Sequence, residues 1–166
     1  MNRERIIGHI PALRRYARLL TGDAHRADDL VQDTLLRACA KWALWRPDSD
    51  LRAWVFTIMH NVFIGQLRSG PPASVMSNDI PDFGQEDAVA TAIDLERALA
   101  ALPDDQREAL LMVTVEDFTY AEVARMTGVP IGTVMSRLSR GRRRLREAME
   151  GKRETADTRQ HLKVMK

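Results

Sequence analysis

Six arginines fall within the ten residues from Arg137 to Arg146. A guanidinium can pair bidentately with a phosphate or with O6 and N7 of guanine, so this density points to nucleic-acid contact. The hydroxyls of Thr133 and Ser136 come just before it. Other reactive groups are sparse. His25, Asp28 and Asp29 stand at the i, i+3 and i+4 spacing of a half metal site, but no second ligand cluster accompanies them. Carboxylates there answer the helix macrodipole instead. His9, His25, His60 and His161 are scattered, and Cys39 is the single cysteine, which excludes an internal disulfide and a cysteine zinc site. There is no glycine-rich phosphate loop and no nucleophile with a plausible base. An enzyme is not expected, and neither a cofactor nor a metal.

The arginines need an element to aim them. Upstream lies Thr119-Tyr120-Ala121-Glu122-Val123-Ala124-Arg125-Met126-Thr127-Gly128-Val129-Pro130. Gly128 can take a positive φ and end a short helix, and Pro130 cannot continue that helix but suits the start of the next. This predicts a helix-turn-helix. Projected at about 100° per residue, Ile131, Val134, Leu138, Gly141 and Leu145 share one arc, expected to face the core. Thr133, Ser136, Arg140 and Arg143 lie roughly opposite, with Arg137 and Arg144 on one flank.

The whole-chain charge of +2 hides a segregation: +4 over residues 1–70, −7 over 71–108, −3 over 109–124 and +7 over 125–153. Hydrophobic residues make up 45% of the chain, enough for a packed core. The longest apolar runs, such as Ala109 to Val113, are too short to span a membrane, and the start shows no apolar signal region. A cytoplasmic protein is expected.

Periodicity is helical almost throughout. The pattern predicts helices from Pro11 to Leu20, from about Ala24 to Trp42, from about Leu51 to Leu67, and again from Asp87. The fold class expected is all-α: two small helical domains joined by a flexible acidic linker, the second containing the helix-turn-helix. Boundaries fall at 1–69, a linker over 70–86 rich in Pro, Gly, Ser and Asp, 87–150, and a polar, frayed tail over 151–166. Trp54 lies in an apolar helix and is expected in the core.

The stretch from Tyr120 to Arg142 resembles region four of the extracytoplasmic-function sigma factors. Leu99-Ala100-Ala101-Leu102-Pro103 with Gln106-Arg107-Glu108-Ala109 resembles the helix before it in that family. Ala27-Asp28-Asp29-Leu30-Val31-Gln32-Asp33-Thr34 resembles the start of region two, and Leu51-Arg52-Ala53-Trp54-Val55 with Ile58-Met59-His60-Asn61 its promoter-facing part. The resemblance covers about residues 10–69 and 90–148. Two departures stand out: Arg68 is followed by Ser69-Gly70-Pro71-Pro72 rather than a basic run, and Met135 and Ser139 occupy positions where some relatives carry basic or aromatic residues.

The resemblance implies a sigma subunit bringing bacterial core RNA polymerase to promoter DNA. By position, Asp29, Gln32 and Asp33 would dock on the polymerase. Lys41, Arg52, Asn61 and Arg68, with the loop from Trp45 to Asp50, would meet the −10 element. Thr133, Ser136, Arg137, Arg140, Arg143 and Arg144 would meet the −35 element. An anti-sigma factor is the implied regulator, and no membrane insertion is implied. Two rivals remain: a sigma-like decoy that sequesters an anti-sigma factor, and a polymerase-independent helix-turn-helix regulator. A decoy would not need the arginines kept here, and no receiver-like domain is attached.

A segment of net charge −7 is repelled by DNA and attracted to a basic channel. Neutralising Asp79, Asp82, Glu86 and Asp87 together is expected to weaken initiation by the reconstituted holoenzyme. Unchanged transcript yield in a purified system would contradict that role for the segment.

Overall fold

The computed structural model describes residues 3–69 and 86–164, with side chains described at 3–69, 91–151, 158, 161 and 162. The expected linker lies outside the described residues except Glu86, which opens a helix. Eight α-helices are described: α1 (Glu4–Ile7), α2 (Ile10–Thr21), α3 (Ala24–Ala40), α4 (Leu51–Ser69), α5 (Glu86–Ala100), α6 (Asp104–Thr114), α7 (Tyr120–Thr127) and α8 (Ile131–Val164). Among the described residues there is no strand.

Local chemistry sets the ends. Gly22 closes α2 at φ 69°, its N–H bonded to the Arg18 carbonyl. Asp23 caps α3 by accepting from the His25 N–H at 3.0 Å. Asp50 caps α4 by accepting from the Arg52 N–H at 2.9 Å. The second predicted helix stops earlier than its apolar stripe suggests: α3 ends at Ala40 and Trp42–Leu44 form a 3₁₀ turn. The turn sets Trp42 5.1 Å from Trp45 and 6.1 Å from Trp54, ring centre to ring centre. Trp54 is half-buried against the core, as expected.

The first half is built on α2, α3 and α4. Leu13, Tyr16 and Leu20 of α2 meet Leu30 of α3 and Val55, Phe56, Met59, Val62 and Phe63 of α4, all close to fully buried. In the second half Leu111 and Met112 of α6, Val123 and Met126 of α7, and Val134 and Leu138 of α8 form the interior. The two interiors join into one apolar cluster, because α4 packs on α7 and α2 on α5 and α6. Phe56 and Phe118 meet edge to face across the junction at 5.4 Å.

Arg107 locks that junction. Its side chain is buried, and it donates to the carbonyls of Leu20 at 2.9 Å, Leu102 at 3.1 Å and Leu99 at 3.2 Å, and to Asp104 at 2.8 Å. Carbonyls at and just beyond the ends of α2 and α5, where the helical bonding pattern runs out, thus share one cation; Leu99 also accepts from the Leu102 N–H at 3.1 Å. Burial holds the Arg107 pKa below its ordinary value, and Asp104 opposes the shift.

Two expectations need correction. Ile131, assigned to the core-facing arc, is 45% exposed, while Val134 and Leu138 of the same arc are buried. As the first residue of α8 it lies beyond the surface that α6 offers to the rest of the arc. The tail over 151–166 is not frayed through its length: α8 continues as one helix to Val164. Residues 151–164 contain no proline and are dominated by good helix formers such as Lys, Arg, Glu, Ala, Gln and Leu, so nothing stops the helix although no apolar stripe runs along it.

Replacing Arg107 with methionine fills the space but leaves carbonyls unpaired in an apolar setting. Urea unfolding of Arg107→Met is expected to show a loss of about 2–4 kcal/mol. A loss below about 1 kcal/mol would mean that water takes over those bonds.

A candidate nucleic-acid interface

The helix-turn-helix forms as its turn chemistry requires. Thr119 and Glu122 close a reciprocal capping box at the start of α7: the Glu122 carboxylate accepts from the Thr119 N–H at 2.7 Å, and the Thr119 hydroxyl from the Glu122 N–H at 3.2 Å. Gly128 then takes φ 70°, and α8 starts directly after Pro130. The rotation of α8 about its own axis is fixed by Val134 and Leu138, both buried, and by Gly141. A Cβ on Gly141 would lie 3.4 Å from the Gln106 carbonyl oxygen, in van der Waals contact, so α8 crosses α6 closely there.

With that rotation fixed, Ser136, Arg140, Arg143 and Arg144 are exposed on α8, together with Arg142 and Arg146. Thr133 is half-buried. The Ser136 hydroxyl donates back to the Gly132 carbonyl at 3.1 Å, leaving its oxygen free to accept. Arg137 is different. It is half-buried and lies beside Asp105 of α6, in the same half, at 3.5 Å.

The four residues expected at the −10 element do not form one face. Lys41 is exposed at the end of α3, whereas Asn61 and Arg68 are exposed on α4. Asn61 and Arg68 border a cleft of about 700 Å³ between the halves, whose other wall includes Asp105, Thr127 and Arg137. Arg52 is engaged elsewhere. Its guanidinium donates to the Glu116 carboxylate at 3.0 Å and to the Glu116 backbone carbonyl, and lies 4.2 Å from the centre of the Phe118 ring.

Glu116 and Glu108 are both buried. Glu108 is bonded to His60 Nδ1 at the edge of the cleft. Between Glu116 and Phe118, Asp117 takes a left-handed conformation at φ 55°. That single turn of backbone lets both neighbours point into the junction. The pKa of the buried Tyr16 hydroxyl is raised well above its ordinary value, first by burial and then by the charges of Glu108 and Glu116. Glu108, Glu116 and Arg107 were not among the residues singled out from the sequence. The signal available was a charge beside an apolar run, as in Arg107-Glu108-Ala109-Leu110-Leu111-Met112.

Asp29, Gln32 and Asp33 are exposed on α3, on the side away from buried Leu30, Val31 and Thr34. Gln66 of α4 donates to the Asp33 carboxylate at 3.2 Å. His25, Asp28 and Asp29 gather no further ligand, and among the described residues no three His, Cys, Asp or Glu side chains are grouped to hold a metal. No helix among them is long and apolar enough to cross a membrane.

Comparison with known proteins follows the same division of the chain. Residues 6–60 match the family model described as the Sigma2 domain of PhyR, and residues 92–145 that of Sigma-70, region 4. The chain is 40% identical over 152 residues to the ECF RNA polymerase sigma factor EcfG of Rhodopseudomonas palustris (strain TIE-1), covering 86% of this chain and 82% of that one. It is 36% identical to the ECF RNA polymerase sigma factor SigM of Mycobacterium tuberculosis (strain ATCC 25618 / H37Rv), covering 82% and 71%. Among solved structures, the sigma factor RpoE of Bartonella quintana, determined with the anti-sigma factor NepR, superposes with a TM-score of 0.75 at 34% identity, covering 89% of this chain and 95% of that one. Such relatives are transcription regulators rather than enzymes. With region-two and region-four matches in order and these identities over most of both chains, the chain belongs to the ECF RNA polymerase sigma factors.

Proposed function

We propose that the chain binds core RNA polymerase through Asp29, Gln32 and Asp33, and that α8 places the complex on a −35 element while α4 and its flanks engage the −10 element. The observation that carries this reading is the outward face of α8, where Ser136, Arg140, Arg143 and Arg144 stand exposed on a helix whose rotation is fixed by Val134, Leu138 and Gly141. Hydroxyls and guanidinia near the start of such a helix suit base edges, and those further along suit phosphates. Thr133 and Arg137 flank that face. The chain adds no catalytic group of its own and works in the cytoplasm, where the polymerase supplies the chemistry.

The −10 residues need a rearrangement. Arg52 cannot serve Glu116 and a DNA phosphate together, nor can Arg137 serve Asp105 and DNA at full strength. Engagement of the −10 element by Arg52 therefore parts the halves where Arg52 meets Glu116, whereas Arg137 exchanges Asp105 for a phosphate within its own half. Lys41, Asn61 and Arg68 are exposed and need no such exchange. The solved relative with its anti-sigma factor supports an anti-sigma partner for this chain as well.

A second reading has one observation in its favour. The family model matching the first half is that of PhyR, and a solved PhyR is described as an anti-anti-sigma factor. A decoy of that kind captures an anti-sigma factor without reading DNA. The exposed arginines of α8 favour the sigma reading.

Run-off transcription with core polymerase on a promoter library separates the two. Selected promoters are expected to share −35 and −10 elements, and Arg140→Ala is expected to relax the −35 preference by about tenfold or more at one position. No shared element, or no binding of core polymerase, would favour the decoy. Arg143→Ala should weaken binding evenly across sequences and reduce the slope of log affinity against log salt by about one; an unchanged slope would place Arg143 away from the phosphates.

A further inference from the structure

We propose that Met135, backed by Ile131, reads the C5 methyl group of a thymine in the −35 element. The inference rests on α8 being the −35 helix. Ile131 and Met135 are one turn apart at the start of α8, and they are 45% and 48% exposed. Neither can turn inward. The rotation of α8 places Val134 and Leu138 inside, and rolling the helix to bury Met135 would expose them. The pair therefore forms an apolar patch at the end of the helix from which a helix-turn-helix reads base edges.

Its surroundings identify what covers it. Ser136 next to it and Ser139 one turn on are exposed, and Arg140, Arg142, Arg143 and Arg144 stand exposed further along the helix. An apolar protein groove would have to desolvate these cations without pairing them. A DNA duplex neutralises them with phosphates and meets the hydroxyls with polar base edges. The major groove also displays one apolar group, the thymine methyl. Methionine suits that contact because its unbranched thioether side chain adapts to a small target. Met135 thus becomes a reader of one A·T pair and its orientation.

The test uses the holoenzyme formed with core polymerase and the −35 duplex recovered by promoter selection. Each thymine on either strand is replaced in turn by deoxyuridine, which removes the methyl and keeps every hydrogen bond. At one position the wild type is expected to bind about three- to fivefold more weakly, the effect of uncovering one methyl group. Met135→Ala should bind the thymine duplex about as weakly as the wild type binds the uracil duplex, and should not distinguish the two. Met135→Leu should still distinguish them. Met135 is half exposed, so these variants are expected to melt like the wild type. If every uracil is tolerated on a duplex whose −35 element was clearly selected, the methyl contact is wrong while the reading of α8 stands. The same holds if Met135→Ala keeps the uracil penalty, or weakens capture of a protein partner and not of DNA. If selection yields no −35 element, both fall together.

Discussion

The packing of the two halves depends on one buried cation. Arg107 gathers carbonyls near the ends of α2 and α5, and its own Asp104, around a single guanidinium. Its planar fork allows this, because several donors in fixed directions can meet several acceptors at once, which an ammonium on a flexible stem does poorly. Since α6 bears Arg107 and also forms the floor under α8, the same residue that joins the halves sets the base on which the recognition helix rests.

Around that cation the junction is unusually polar for a surface that also contains Phe56 and Phe118 in contact. Glu116 and Glu108 come from the second half, while Arg52 and His60 come from the first. A buried carboxylate is tolerable only with its partner in place, so each half presents charges that need the other or need water. Such an interface is specific when closed yet gives up little when opened into solvent, where both charges are rehydrated. Sealed with leucine and valine instead, the same two halves would form a firmer body, harder to part. Asp117 contributes through its backbone, since its left-handed turn directs Glu116 and Phe118 to the same side.

Much of this was legible in the sequence where the signal is local. The α7–α8 turn follows from Thr119, Glu122, Gly128 and Pro130, each acting within four residues of its own position. The apolar face of α3 and the acidic strip opposite it follow from period alone. Ile131 was misread because a repeating arc shows which residues share a side and not where the neighbouring surface ends. The length of α8 was misread because a lack of apolar periodicity signals a lack of packing, and not a lack of helix. Arg107, Glu108 and Glu116 were beyond reach for another reason. The partners they meet across the junction lie 87, 48 and 64 residues away, and no local rule joins them.

The single helix from Ile131 to Val164 has a mechanical consequence. At about 1.5 Å per residue it is a rod roughly 50 Å long. Gly141 rests on α6 and Leu145 on the core. From there the helix runs on to Val164 as a handle continuous with its first turns. A molecule grasping that handle near Leu162 would hold leverage over the tilt of Ser136 and Arg140, two dozen residues away on the same helix.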